Sequence, residues 1–508
     1  MFRTLISKEI AETVLGLRFT IAMLLCVVLI PLGMYVSRKD YEHRLAGYQR
    51  EVQTYRQRYG TPPPPLTGGE EAQGFRPPSV LSMFASGLDP FMPDKVFTSQ
   101  SGLFRTVKEA GIDNPQSLLF GKADFLFNVM FIISLTALIF TFNSISGERE
   151  KGTLRLMIAN SIPRSQIILS KIIGKYFVLL VPFMISVFIA LFIFDASPVV
   201  SIGSPEVWPA LLIIMVATLL FIFSMVSLGV CISTFTAHSM GSIVLLFFVW
   251  AMFIIGVPRM SPMIAELIYP VESGSVFSFR KRMVRDDIEK QFEQVKKETI
   301  DSKQDAERES LQEATRQKLM EIAEHERADG RESSLKAAEE LNRKYNVRLR
   351  EIGAKYEPQI QRLVEECQRR IASELNRVEQ DYRNRRNIQF SIAMNLARIS
   401  PVSCYAYVVS GLSGTGVTEP DNFVRNARMF QEDINQIFYD KVFYMFGRQR
   451  RTEGFNASDP LSFPDMRYRY LNLTEAVQMH WPDILLLCLF DVLFCALALM
   501  KFNRYDVR

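Results

Sequence analysis

The sequence predicts an all-α membrane protein with six transmembrane helices, an N-terminal interfacial helix and a large, mainly helical extracytoplasmic domain that contains a coiled-coil-like hairpin. Three observations support this fold class. The 508 residues are 48% hydrophobic, and the apolar residues are gathered in a few long blocks. In the N-terminal segment, apolar and charged residues alternate with the spacing of an amphipathic helix. A long stretch in the second half is rich in Glu, Lys, Arg, Gln and Ala.

The apolar blocks define the membrane spans. A helix needs roughly 20 mostly apolar residues to cross the hydrocarbon core of a bilayer. Six blocks meet this criterion, and we assign the spans to residues 19–37, 122–144, 171–195, 208–235, 240–257 and 482–501. The first block ends in PLGMYVSRKD without a small-x-small cleavage site, which favours an uncleaved anchor over a signal peptide.

Lysine and arginine in the short loops indicate the orientation. They are concentrated in residues 1–18, 145–170 and 502–508, so we expect these three segments, and both termini, to be cytoplasmic. Segments 38–121 and 258–481 are then extracytoplasmic. The net charge of +5 is small for the length, and the basic residues form no patch with interleaved aromatics, which argues against nucleic acid as a partner.

Residues 1–18 are predicted to form an amphipathic helix that lies in the membrane interface. Leu5, Ile6 and Ile10 are interleaved with Lys8 and Glu9, which places apolar and charged side chains on different faces. Membrane lipids are the expected partner of this helix.

The segment between the first two predicted spans has a different composition. It contains TPPPPLTGGEEAQGFRPP, which is so rich in Pro and Gly that it predicts a loop or linker within a small domain of mixed order.

The large segment before the last span is predicted to contain a helical hairpin over residues 282–395. Apolar residues from Leu349 to Tyr382 recur at spacings of three and four, which indicates one apolar stripe along the second limb. We expect a turn near Ala328-Asp329-Gly330 and a kink at Pro358, because proline removes a helical hydrogen bond. The following run, FSIAMNLARISPVSCYAYVVSGLSGTG, is typical of a packed helix–turn–helix close to the membrane.

No motif of an enzyme active site is found. Gly121-Lys122 and Gly174-Lys175 lack the frame of a phosphate-binding loop, so the chain is not expected to bind ATP, and neither HExxH nor GxSxG occurs. The four histidines are scattered, which gives no support for a metal site. Cys367 and Cys404 lie outside the spans and either pair or remain free, but two isolated cysteines make no disulfide framework.

The most informative motif lies between the second and third spans, in NSISGEREKGTLRLMIANSIPRSQIILSKIIGK. A Gly-Glu step leads to a Gly-Thr helix, a proline turn and a Gly-Lys at the next span. This order resembles the type 2 ABC exporter permeases. The resemblance is specific in this loop, extends over the six-span frame and is weak over the segment 258–481. There, Ser400-Pro401 and GLSGTG resemble the subgroup whose last outward loop is enlarged.

The resemblance implies a coupling loop that contacts a separate ATPase subunit. The residues it assigns to this role are Glu148, Arg149, Glu150, Gly152, Thr153, Leu154, Arg155, Leu156 and Pro163. It also implies that ATP and Mg²⁺ are bound by that ATPase, that a second permease chain, identical or related, completes the pathway, and that the location is the cytoplasmic membrane of a prokaryote. The alternative is that the acidic residues only solvate a loop while the basic ones obey the positive-inside rule.

Three functions are compatible with these features. The first is export of a hydrophobic or amphipathic substrate. The second is mechanical transmission, in which the helical stalk moves a periplasmic or envelope partner and nothing is transported. The third, a sensor or scaffold, is weakest because no cytoplasmic output domain follows any span. Asp491 is the one acid well inside an apolar block, where it either contacts a cation or substrate or pairs across a helix interface.

Overall fold

The computed structural model describes residues 2–59, 72–98, 104–107, 123–159, 162–195, 207–329, 331–446 and 466–504. Within these residues, six helices are long and apolar enough to cross a bilayer: Leu17–Arg58, Phe125–Glu150, Arg164–Asp195, Val207–Phe235, Ser239–Ile268 and Leu473–Asn503. Nearly all other described residues are helical as well. The predicted all-α membrane fold is therefore confirmed.

We number the helices in chain order. They are α1 (Phe2–Val14), α2 (Leu17–Tyr59), α3 (Phe125–Glu150), α4 (Thr153–Ala159), α5 (Arg164–Asp195), α6 (Val207–Phe235), α7 (Ser239–Ile268), α8 (Gly274–Lys296), α9 (Ser302–Asp329), α10 (Arg331–Ala397), α11 (Pro401–Leu412), α12 (Glu419–Phe446) and α13 (Leu473–Asn503). Single π-helical turns lie at Val129–Ile133 within α3, at Met252–Gly256 within α7 and at Lys297–Asp301 between α8 and α9.

Helix α2 continues far beyond the apolar residues of the first span. Its charged extension is held by ion pairs at helical spacing, with Arg38 Nε 2.8 Å from Glu42 Oε1 and Arg44 Nε 2.9 Å from Asp40 Oδ2. Such pairs stabilise an exposed helix modestly over residues 38–44, and the helix runs on to Tyr59.

The span helices pack through one continuous apolar core. Helix α13 packs along α6, α5 packs against α1 and α2, and α11 fits between α6 and α13. Small residues allow the closest approach: a Cβ atom added to Gly229 of α6 would lie 1.8 Å from Oγ1 of Thr141 in α3. This position therefore requires glycine for close helix packing.

Replacing Gly229 by alanine is expected to destabilise the bundle. The new methyl group must displace Thr141, and overpacking of this kind costs about 1–3 kcal/mol. The apparent melting temperature in detergent should fall. Gly241→Ala is the matched control, because nothing lies within 4 Å of a Cβ added there. Equal melting temperatures for the two variants would contradict the close packing.

Three short strands follow α2. They are β1 (Ala72–Phe75), β2 (Lys95–Thr98) and β3 (Phe104–Val107), which form an antiparallel sheet in the order β1-β2-β3. The interpretation of AQGFRPP as part of a linker is wrong for β1. The preceding residues 60–71 of the Pro-rich stretch lie outside the described part. The sheet packs on Phe423 and Phe430 of α12, a distant part of the chain that no local pattern reveals.

Residues 261–394 form a second compact unit with two antiparallel helical limbs. Helices α8 and α9 make the first limb and α10 the second. Contacts between the limbs run in opposite directions along the chain: the rings of Phe277 and Tyr382 stack at 4.0 Å, Lys281 Nζ lies 3.4 Å from Glu379 Oε2, and Tyr356 donates to Glu307 at 2.9 Å. Helix α10 continues through Pro358. Gly330, at the predicted turn, lies outside the described residues, and coiled-coil packing stays a prediction.

The run that follows α10 packs against the span helices. The ring of Tyr405 in α11 stacks on Phe221 of α6 at 4.6 Å, and its hydroxyl lies 3.0 Å from Oγ1 of Thr218. Cys404, also in α11, is buried, and both it and Cys367 are free thiols.

Candidate functional site

The predicted coupling loop lies between α3 and α5. The last turn of α3, Ser146–Glu150, is followed by Lys151 and then by Gly152, which has a φ of +73°. Nothing lies within 4 Å of a Cβ added to Gly152, so the requirement for glycine is conformational rather than steric. Helix α4 follows, and Pro163 precedes α5, where a fixed φ suits a helix start.

A buried lysine joins this loop to the N-terminal helix. Lys171, in the first turns of α5, is only 2% exposed. Its Nζ donates to Oε1 of Glu148 at 2.7 Å and to Oε1 of Glu9, in α1, at 2.9 Å. Glu9 is 3% exposed. One ammonium group therefore binds two carboxylates that come from separate helices.

A second lysine completes what we call the ionic cluster: Glu9, Thr13, Glu148, Lys171 and Lys175. Lys175 Nζ donates to Oγ1 of Thr13 at 2.7 Å and lies 3.8 Å from Oε2 of Glu9. Burial raises the pKa of Glu9, but the nearby ammonium groups of Lys171 and Lys175 outweigh this effect and hold the pKa below its ordinary value. Two carboxylates and two ammonium groups thus balance in a buried site.

The Gly-Lys step of the motif has a direct role in this cluster. A Cβ added to Gly174 would lie 2.8 Å from Cβ of Glu9, so glycine lets α1 approach α5 closely enough for the ion pairs to form. Sequence reasoning missed the cluster. The available signal was the i,i+4 spacing of Lys171 and Lys175 around a glycine, together with the same spacing of Glu9 and Thr13.

The neighbouring residues of the loop contact the junction between α6 and α7. Arg149 donates from Nη1 to the carbonyl oxygen of Thr236 at 2.9 Å. The carboxylate of Glu150 accepts from the backbone nitrogen of Ser239 at 2.9 Å and from its hydroxyl at 2.6 Å. Oγ of Ser233 accepts from the backbone nitrogens of Ile145 and Ser146. The loop is therefore tied to four span helices, α3, α5, α6 and α7.

The predicted site residues divide into two groups. Glu148, Arg149 and Leu154 make contacts within the chain, and Leu154 is 1% exposed. The outward group is exposed and consists of Gly152, Thr153, Arg155, Leu156 and Pro163. Leu156 is 68% exposed and presents apolar surface next to the charge of Arg155. Glu150 belongs to both groups, being exposed and bonded to Ser239.

Asp491 lies apart from the loop, in the middle of α13. It is 7% exposed, and its Oδ1 is buried without a hydrogen-bond partner among the described residues. No group of three or more metal-binding side chains occurs in the described part of the chain. Both interpretations of Asp491, as a contact for substrate or cation and as a helix-pairing group, stay open.

The chain has six span helices, and hydrogen bonds and ion pairs hold the short loop between the second and the third. This arrangement defines a multi-pass membrane protein. The family model described as ABC-2 family transporter protein matches residues 3–507. The chain therefore belongs to the ABC-2 family of transporter proteins, as the loop motif predicted. A comparison with curated proteins gives no match. Family membership supports a permease component of an ABC transporter, and it implies partnership with an ABC ATPase subunit.

Proposed function

We propose that the chain is the transmembrane permease subunit of an ABC exporter, located in the cytoplasmic membrane of a prokaryote with both termini in the cytoplasm. A separate ATPase subunit binds ATP and Mg²⁺, and the permease itself carries no catalytic site. The basic residues around the α3–α5 loop support this orientation. The largely apolar spans favour a hydrophobic or amphipathic substrate, and a second permease chain, identical or related, completes the pathway.

The observation that carries this proposal is the ionic cluster. An ATPase that docks on the exposed side of α4, at Arg155 and Leu156, pushes on a loop whose inner side is held by Glu148. Breaking a buried ion pair by separating the partners is costly. The loop therefore moves together with α1 and α5, through Glu9 and Lys171, instead of yielding by itself. Motion of the ATPase is in this way passed to the spans.

Replacing Leu156 by aspartate together with Arg155→Glu is expected to abolish ATPase docking. Both side chains are exposed, so the permease should fold normally while the docking surface loses its apolar contact and reverses one charge. The measurement is co-purification of the P-loop ATPase that associates with the wild-type chain, expected to fall at least about tenfold.

The control for this variant is Met320→Asp, which places a charge at another exposed apolar residue, 54% exposed in α9. It should leave ATPase docking unchanged. Wild-type co-purification by the Leu156 and Arg155 double variant, with an unchanged melting temperature, would remove the docking proposal.

The second candidate function is mechanical transmission to an envelope partner, and a specific clamp favours it. Arg398, the residue after α10, donates to both carboxylate oxygens of Asp483 in α13, at 2.6 and 3.1 Å. Ser400 donates to the carbonyl oxygen of Phe253 in α7 at 2.9 Å. Bidentate arginine–carboxylate pairs fix geometry as well as distance. The end of α10 is therefore held to the fifth and sixth spans, and their motion passes into the long helix.

A further inference from the structure

A groove of about 480 Å³ lies between the charged extension of α2 and the sheet. Arg50, Tyr55 and Arg58 line it from α2, Phe75 from β1 and Lys95 from β2. The rings of Tyr55 and Phe75 meet edge to face at 5.6 Å and form an aromatic floor. The site thus combines cations with apolar surface, and neither the ionic cluster nor the coupling loop uses it.

The charges in the groove do not cancel. Lys95 Nζ lies 3.2 Å from Oε2 of Glu51, so these two groups neutralise each other. Arg50 and Arg58 form no ion pair with another described residue, and Arg50 donates only from Nε to a carbonyl oxygen of its own helix, that of Ala46 at 3.2 Å. Two guanidinium groups therefore remain for a ligand that carries negative charge.

The spacing of the two arginines indicates the shape of that ligand. Eight residues separate them, which corresponds to about 12 Å along an α-helix. In an extended peptide, residues four apart lie on the same face and are separated by about 13 Å. The peptide residue midway between these two lies on the same face, so its side chain contacts the rings of Tyr55 and Phe75. An extended segment with acidic residues four apart matches the groove.

The position of the groove excludes lipid headgroups. Arg50 follows the end of the predicted first span, residue 37, by 13 residues, which corresponds to roughly 20 Å of helix. The headgroup region of one leaflet is only about 5–8 Å thick. The groove therefore lies beyond the bilayer surface and is open to soluble partners.

We propose that this groove binds an extended acidic peptide segment of a soluble extracytoplasmic partner. Arg50 and Arg58 hold two carboxylates, and Tyr55 with Phe75 contact the apolar side chain between them. The assignment to the extracytoplasmic side rests on the orientation in the proposed function. Peptide binding itself requires neither the ATPase nor transport.

The test uses the purified full chain in detergent and a fluorescein-labelled peptide, Ser-Glu-Thr-Val-Thr-Glu-Ser, with binding followed by fluorescence anisotropy. We expect saturable binding that weakens as salt is added. Arg50→Gln and Arg58→Gln should each weaken binding about three- to tenfold, and the double variant should abolish it. Arg56→Gln is the matched control, since Arg56 lies on the same helix outside the groove.

Three results would overturn the proposal. The first is equal affinity for the peptide with glutamine in place of both glutamates. The second is displacement of the peptide by inorganic phosphate at a concentration near the peptide's own Kd, which would mean a site for small anions. The third is tighter peptide binding by an E70Q/E71Q variant. That result would mean that acidic residues of this chain compete with the peptide and are the natural occupant of the groove. Failure of ATPase docking with intact peptide binding would instead count against the proposed function alone.

Discussion

Replacing Lys171 by methionine is expected to destabilise the protein by about 3–5 kcal/mol, because the buried carboxylate of Glu9 and the half-buried carboxylate of Glu148 would lose their shared cation. The apparent melting temperature in detergent should fall steeply. Coupling should fail as well, so ATP hydrolysis by a complex with the ATPase should no longer respond to substrate. Thermal unfolding and substrate-stimulated hydrolysis are the two measurements.

A double variant separates this charge effect from loss of packing. Lys171→Met combined with Glu148→Gln removes one charge of each sign while keeping similar volumes. It should recover most of the lost stability, because the carboxylate that remains, that of Glu9, still lies 3.8 Å from the ammonium group of Lys175. Lys8→Met, an exposed neighbour on α1, is the control for an altered net charge. If the single and double variants were equally unstable, the unpaired carboxylate would not be the cause.

The pH dependence of the wild type follows from the pKa of Glu9. Folding lowers this pKa, so below pH 4.5, its ordinary value, the unfolded chain binds the proton more readily. The contribution of Glu9 to stability is complete above pH 4.5 and is lost as the pH falls through the lower pKa of the folded state. Glu9→Gln should flatten this acidic limb of a melting-temperature profile.

The spans and the coupling loop could be predicted from sequence because their signals are local. An apolar block fixes a span by its own composition. The motif from Gly147 to Lys175 keeps its order in one short segment. The ionic cluster could not be found this way, because Glu9 and Lys171 are separated by 162 positions. The positive-inside rule already accounts for a lysine at position 171, so its charge alone does not indicate an ion-pair partner.

The sheet and the division of the loop residues also depend on distant contacts. A four-residue strand such as Ala72–Phe75 has too little pattern to distinguish it from a linker. Its stability comes from α12, more than 300 residues further along the chain. The charges of Glu148 and Arg155 are equally visible in the sequence, but only the packing of α1 on α5 shows which one faces inward.

If the hairpin moves with the ATPase cycle and transmits that motion, deleting residues 295–361 and joining the limbs by a short turn should abolish biological output while insertion and ATPase docking persist. The contacts at the base of the hairpin, Phe277 with Tyr382 and Lys281 with Glu379, remain in the shortened chain. The clamp between Arg398 and Asp483 remains as well. Output is measured as rescue of a strain that lacks the chain, and docking as co-purification of the ATPase.

A matched variant keeps the hairpin at full length and removes the two contacts that Glu307 makes between its limbs. Lys355→Gln with Tyr356→Phe breaks the contacts to Glu307, which are exposed or half-buried and contribute little. This variant should retain output. Loss of output in both variants would indicate that the hairpin tolerates no change at all, and full output from the deletion would reduce the hairpin to a passive cover.

The same deletion also decides between the two proposed functions. An exporter whose pathway lies between the spans should keep both its output and substrate-stimulated ATP hydrolysis after the hairpin is shortened. A mechanical transmitter should lose its output although hydrolysis continues, because the shortened α10 no longer carries the motion of the spans to the envelope partner. Arg398→Gln provides the second criterion: it leaves the hairpin intact and removes the bidentate pair with Asp483. Under mechanical transmission it should lower output with docking unchanged, whereas for an exporter it should affect stability alone.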